Sequence, residues 1–219
     1  MNHVYRILNT LGLALVLVMN GLANSLPLNG QTTGELSAKY PVMITPAPYA
    51  FSIWLLIYAL LTLFVIYQWL PSQWNNPVIR AVNPWFVISC LLNASWIVLW
   101  HYEYIAASVF VMFALLLTLI AIYLGVRNPS LQPSARDKLL VRLPFSIYLG
   151  WISVASIVNV AVALYDAGWQ GFGLSETTWT LIMIGFAIAL AMHMAIKYRD
   201  VAFVLTILWA LIAIAVANY

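Results

Sequence analysis

The sequence predicts an all-α integral membrane protein with seven transmembrane helices, and three observations carry that prediction. Of 219 residues, 64% are apolar and only 7% are charged, against about 25% charged in an ordinary soluble domain. The apolar residues come in runs near the roughly 20 residues that a bilayer span requires. The runs are continuous and do not alternate over about 10 residues, so they are not strands of a membrane barrel. The same figures exclude a disordered, collagen-like or disulfide-framed chain. One cysteine, Cys90, permits no intrachain bridge.

The runs, separated by polar punctuation, place spans at 4–26, 49–70, 84–101, 105–126, 143–165, 177–196 and 201–218. Such boundaries hold to about 2–4 residues. Span one has an alternative: Arg6, the apolar stretch after it and the small pair Gly21 and Ala23 also fit a cleavable leader. Its removal would leave six spans in the same orientation. The longest connection, Pro27–Pro48, is rich in Gly, Thr and Pro. No linker, charge run or internal repeat divides the chain, so 1–219 reads as one membrane domain.

Charge sets the topology. Arg6, Arg80, Arg127, Arg136, Lys138, Arg142, Lys197 and Arg199 fall on one side, and Lys39 alone falls on the other. By the positive-inside rule the N-terminus is cytoplasmic and the C-terminus outside. Glu35, Glu103, Asp166 and Glu176 collect on the outer side, so the net +3 describes orientation in a membrane and not affinity for nucleic acid. A bacterial cytoplasmic membrane fits this bias. Trp69, Trp74 and Trp85 near the inner face, and Trp100, Trp169 and Trp179 near the outer one, read as aromatic belts. Trp54, Trp96, Trp151 and Trp209 lie deeper and need another role.

No Asp, Glu, Lys or Arg falls at mid-membrane. Intramembrane charges mark proton relays and ion paths, so a pump, an ion-coupled transporter and a retinal protein are disfavoured. Metal ligation is not expected. His3 and His193 lie near the inner face, and His101 and Glu103 share an outer turn, but neither pair has a ligand spacing. No nucleophile elbow, phosphate loop or zinc-protease motif is present.

What stands out is a set of aromatic and neutral polar stripes. Asn93, Trp96 and Trp100 share a face of span three; Trp151, Ala155 and Asn159 share one of span five. Phe51, Trp54 and Tyr58 do the same in span two, and Asn20 and Asn24 add an outer pair in span one. Helix packing accounts for any one stripe. Three at overlapping depth suggest an aromatic-walled cavity with a few polar anchors, suited to a flat apolar ligand by stacking. The Pro27–Pro48 loop lies on the same side and could cover it.

These residues resemble a known family. Tyr148, Leu149, Gly150 and Trp151, followed by Ala155 and Asn159, are similar to the Y-L-x-W-x-x-x-A-x-x-x-N pattern in the last helix of the translocator protein family, also called TspO or tryptophan-rich sensory proteins. Leu92, Asn93 and Trp96 resemble its L-N-x-x-W, and Pro48, Phe51, Trp54 and Tyr58 its P…F…W-x-x-x-Y entry. The motifs occur in the family's order over residues 1–165, and spans six and seven (166–219) are additional to the five-helix pattern. The spacing from Phe51 to Trp54 is one residue short, and a second proline is absent there. Pro144 lies further upstream than its counterpart, and the basic sterol motif after Asn159 is missing.

The resemblance implies a five-helix bundle with a cavity under the loop between helices one and two, porphyrin binding, and a tendency to homodimerise. Carried over by position, Trp54, Asn93, Trp96, Trp151, Ala155 and Asn159 are its candidate ligand-binding residues. Tyr58, Asn20 and Asn24 come from the helix-face pattern alone. The expected function is a membrane receptor or sensor for a planar hydrophobic molecule, a tetrapyrrole such as a haem precursor, with no required cofactor and a porphyrin or lipid as the bound molecule. The alternatives are a facilitator of tetrapyrrole or lipid movement, a weak light-dependent porphyrin-degrading enzyme, or a scaffold for other membrane proteins.

Overall fold

The computed structural model describes residues 3–26 and 28–219; Pro27, the first residue of the expected long loop, lies outside them. Among the described residues every regular element is helical. In chain order the α-helices are α1 His3–Ser25, α2 Thr33–Ala38, α3 Ile53–Trp69, α4 Pro77–Arg80, α5 Trp85–His101, α6 Ile105–Val126, α7 Ala135–Asp137, α8 Leu143–Asp166, α9 Glu176–Tyr198 and α10 Val201–Ala217. The seven long ones stand where the apolar runs do. A 3-10 turn at Pro48–Ser52 leads into α3.

Five helical segments are long and apolar enough to cross a bilayer: His3–Ser25, Pro48–Trp69, Ile105–Val126, Ala135–Asp166 and Glu176–Tyr198. α5 and α10 are apolar but hold 17 residues each, which at 1.5 Å per residue is about 26 Å, short of the roughly 30 Å hydrocarbon core. Length therefore establishes five crossings where the sequence reading expects seven.

The helix into Asp166 also begins eight residues earlier than its apolar run. Ser134 and Asp137 form a capping box that satisfies the free N–H groups at a helix start. A π-turn, Lys138–Arg142, then joins α7 to α8, with the Leu143 N–H reaching the Lys138 carbonyl. The wide turn lies just before Pro144, whose ring and missing N–H disrupt ordinary α-helical bonding.

Five helices close a ring. α1 packs on α3, α3 on α8, α8 on α6, α6 on α5, and α5 back on α1. α10 lies against the outside of α8, and α9 against α10. α8 is therefore the central element, buried along most of its length, while α9 buries only Thr180, Ala187 and Met194. Apolar residues also point outward: Leu55, Phe110 and Ile196 are each more than 75% exposed. A chain apolar on both inner and outer faces is what a lipid-embedded bundle needs.

Polar residues set the register between helices. At the basic end, Asn9 on α1 donates to Gln68 and Asn83, 2.9 Å each. Higher up, Asn20 donates to the Asn93 oxygen at 3.0 Å, and Asn93 donates to the Tyr148 hydroxyl at 2.9 Å. That chain ties α1, α5 and α8 together. Gly12 lets α1 approach α5, where an added Cβ would lie 3.1 Å from Cys90 Cβ. His3 packs on Trp74 and His193 on Tyr198, so the two inner histidines serve separate helices.

Candidate functional site

The loop between α1 and α3 folds back over the ring. Thr32 and Glu35 form a capping box that starts α2. His101, buried at the end of α5, meets the Thr33 hydroxyl at 3.0 Å and the Leu28 carbonyl at 3.1 Å. Lys39 pairs with Glu103 at 2.5 Å, and the Tyr40 hydroxyl donates to the same carboxylate at 3.3 Å. The Lys39 bond holds the Glu103 carboxyl below its ordinary range. Burial, with Glu103 beside it, pushes the Tyr40 phenol up to about 12. His101 and Glu103 thus hold the loop down. No group of three His, Cys, Asp or Glu able to hold a metal occurs among the described residues.

Under this loop lies a cavity. Its roof is Ser37 and Pro46, and its walls are Phe51 from the turn before α3, Trp96 and Trp100 from α5, and Trp151, Ala155 and Asn159 from α8. Trp96 and Trp100 stack at 5.4 Å with 18° between planes. Phe51 meets Trp151 edge-on at 5.8 Å. The Trp96 indole N–H donates to the Asn159 oxygen at 3.0 Å, and the Asn159 amide donates to Ser108 at 2.9 Å. Asn159 is therefore committed to fixing Trp96. The indole N–H groups of Trp100 and Trp151 are buried and have no partner. Ala155 keeps the space open between the indole faces.

Open room in the cavity is ≈ 30 Å³, about the volume of one water. Cavities that hold drug-sized ligands are about 300–1,000 Å³. The rings converge, but they leave far less space than a tetrapyrrole needs.

The nine sequence candidates divide by position. Trp96, Trp151, Ala155 and Asn159 line the cavity. Trp54 and Tyr58 stack on each other at 5.2 Å, and Trp54 meets Trp151 edge-on at 6.3 Å; they form a layer behind the wall. Asn20 and Asn93 are occupied in the crosslink to Tyr148. Asn24 is exposed and donates to the Asn20 carbonyl at 2.9 Å. Trp100, expected in the outer belt, is instead buried in the cavity wall, on the face that its spacing from Trp96 already indicated. Trp209 clips the 3-10 turn before α3, donating to the Ala50 carbonyl at 3.2 Å.

A lipid-facing ring of helices over an internally aromatic, loop-capped cavity defines an integral membrane protein of the helical-bundle class. Within that class the family model for TSPO-like protein matches residues 6–219, and the chain belongs to the TSPO-like family. The match runs through α9 and α10 as well as the ring. Neither a comparison with curated proteins nor one with solved structures finds a match.

Proposed function

We propose that this chain is a membrane receptor or sensor that binds a planar, hydrophobic small molecule, a tetrapyrrole, in the aromatic cavity under the α1–α3 loop. One observation carries the reading: two buried indole N–H donors, on Trp100 and Trp151, line the cavity without partners. Buried donors are nearly always paired. A ligand with acceptor atoms along its edge would pair them, while the ring faces stack on its plane. Family membership supports a ligand-binding or sensing role. Because the closed cavity is small, the reading requires the loop to lift for entry.

Two features favour binding over passage or catalysis. Towards the basic end, Phe64, Phe86 and Phe145 pack edge-to-face at 5.3–5.7 Å, which fills the ring below the cavity. No ionisable group lines the cavity, so it offers no acid–base pair. In this reading all seven long helices cross the bilayer, α5 and α10 by local thinning, with the basic end cytoplasmic. A thiol-reactive probe that cannot cross the membrane should label Arg136→Cys only from the cytoplasmic side; labelling from outside would reverse the orientation.

Titration of the purified protein with protoporphyrin, followed by tryptophan emission, tests the site. Saturable quenching is expected. Trp100→Phe and Trp151→Phe keep a ring and remove the donor, so each should weaken binding roughly fivefold, the scale of one hydrogen bond. Quenching that never saturates, or that both variants leave unchanged, refutes the proposal.

A further inference from the structure

A second cavity, larger than the first, opens at the loop end of the bundle between α8 and α9. Its volume is ≈ 450 Å³, within the range of small-molecule sites. None of its lining residues is shared with the first cavity. The far end of α8 contributes Leu164, the connection to α9 contributes Trp169, and Val42 reaches in from the loop.

One face of α9 supplies the chemistry. Glu176, Thr180 and Met183 all line the cavity, at the i, i+4, i+7 spacing of a single helix face. Glu176 is the sole charged residue of the lining. Its Oε1 accepts the Met43 N–H at 3.0 Å, which holds the carboxylate at the cavity edge. One turn deeper, Thr180 is 94% buried and its hydroxyl has no hydrogen-bond partner. An unpaired hydroxyl in an apolar wall is unfavourable unless something else bonds it. Trp169 and Trp179 also line the cavity, their rings 5.0 Å apart, and indole rings attract cations at their faces. The basic side chain of this end, Lys39, is tied to Glu103. The lining therefore presents one acidic group, the free Thr180 hydroxyl, the neutral polar side chains of Tyr165 and Gln170 and two indoles, and no basic side chain.

We infer that this cavity is a binding site for a hydrophobic cation, a protonated alkyl or aryl amine whose ammonium lies between Glu176 and Thr180 and whose apolar body packs on Leu164, Met183 and Trp169. The ammonium donates to both the carboxylate and the orphan hydroxyl. An anionic amphiphile would face the carboxylate with nothing to neutralise it. The site shares no lining residue with the tetrapyrrole cavity, and Val42 and the Glu176–Met43 bond tie it to the same loop.

Tritiated octylammonium, equilibrated with the full chain in lipid nanodiscs and corrected for empty discs, tests the assignment. A saturable component near one per chain is expected, and octanesulfonate, of equal chain length and opposite charge, should show none. Glu176→Gln keeps an acceptor for the Met43 N–H and removes the charge, so it should weaken octylammonium roughly fivefold, the scale of a partly exposed ion pair. Thr180→Val should weaken it as well, and Ala161→Phe, which fills the cavity, should abolish the saturable component. Uptake equal to that of empty discs overturns the site. Octanesulfonate binding as well as octylammonium, with Glu176→Gln unchanged, overturns the cation assignment. If Ala161→Phe does not assemble, Glu176→Gln decides alone.

Discussion

Asn93 shows how one side chain can look like a ligand anchor and serve the scaffold. It accepts from Asn20 and donates to the Tyr148 hydroxyl, so its polar atoms are spent between α1, α5 and α8. Asn93→Leu would remove two interhelical bonds and leave the buried Tyr148 hydroxyl unpaired, while Asn20 keeps its bond to the Val16 carbonyl. Interhelical bonds in membranes average about 0.6 kcal/mol each, and the orphaned Tyr148 hydroxyl adds to that. We expect a loss of about 1–2 kcal/mol, measured by thermal unfolding in detergent, with porphyrin affinity changing far less than in Trp151→Phe. Trp100 is the opposite case. Its position near a membrane face suggests a belt residue, yet its spacing from Trp96 puts it on the cavity side. Face and depth pointed to different roles, and packing decided for the face.

At the scale of elements, one aspartate ties α10 to the ring at the basic end, as Trp209 and the loop bonds do at the other. Asp200 accepts from Tyr123 at 2.8 Å and Ser146 at 2.6 Å, pairs with Arg127 at 2.5 Å, and caps α10 through the Phe203 N–H. Gly150 adds a close approach: a Cβ there would lie 3.0 Å from Thr206 Cβ and 3.3 Å from the Phe203 carbonyl. Asp200→Ala leaves a largely buried Arg127 without its counter-ion, a loss of about 3 kcal/mol. Limited proteolysis should then cut between α9 and α10 more readily, while α1–α8 stays protected. Equal cleavage of both proteins would show that α10 does not depend on this cluster. The sequence displays Asp200 as an ordinary residue of a tight turn. Its side-chain partners Ser146, Arg127 and Tyr123 lie 54 to 77 positions away, which no local pattern reports.

The whole molecule behaves as a capped vessel. The loop is held by His101 on α5, by Glu103 in the turn after it, by Glu176 on α9, and by α10 through the Ala47–Ala213 and Asn218–Met43 bonds, so in the proposed reading all of these must release it before a large ligand enters. Glu103 makes that release sensitive to acid. Its carboxyl is held low by the Lys39 bond. A group whose native value lies below its unfolded one contributes fully above the unfolded value, and loses that contribution as pH falls through the native value. Loop closure should therefore be intact at neutral pH and weaken below about 4.5, the ordinary value. Hydrogen exchange across residues 33–40 is the measurement. Lower protection relative to the intrinsic exchange rate is expected in acid, and in Lys39→Ala at neutral pH. Exchange that is indifferent to both would remove Glu103 as a latch.

The sequence by itself determined the apolar runs, their order and the stripes that face inward, because lipid and helix periodicity leave a local imprint on every turn. It placed Trp96, Trp151, Ala155 and Asn159 at compatible depth on their helices. Only the tertiary structure decided which polar groups pair across helices, how nearly the indoles close the space between them, and that α8 and α9 enclose a second cavity. Those outcomes depend on interhelical distances of a few ångströms, set jointly by residues dozens of positions apart.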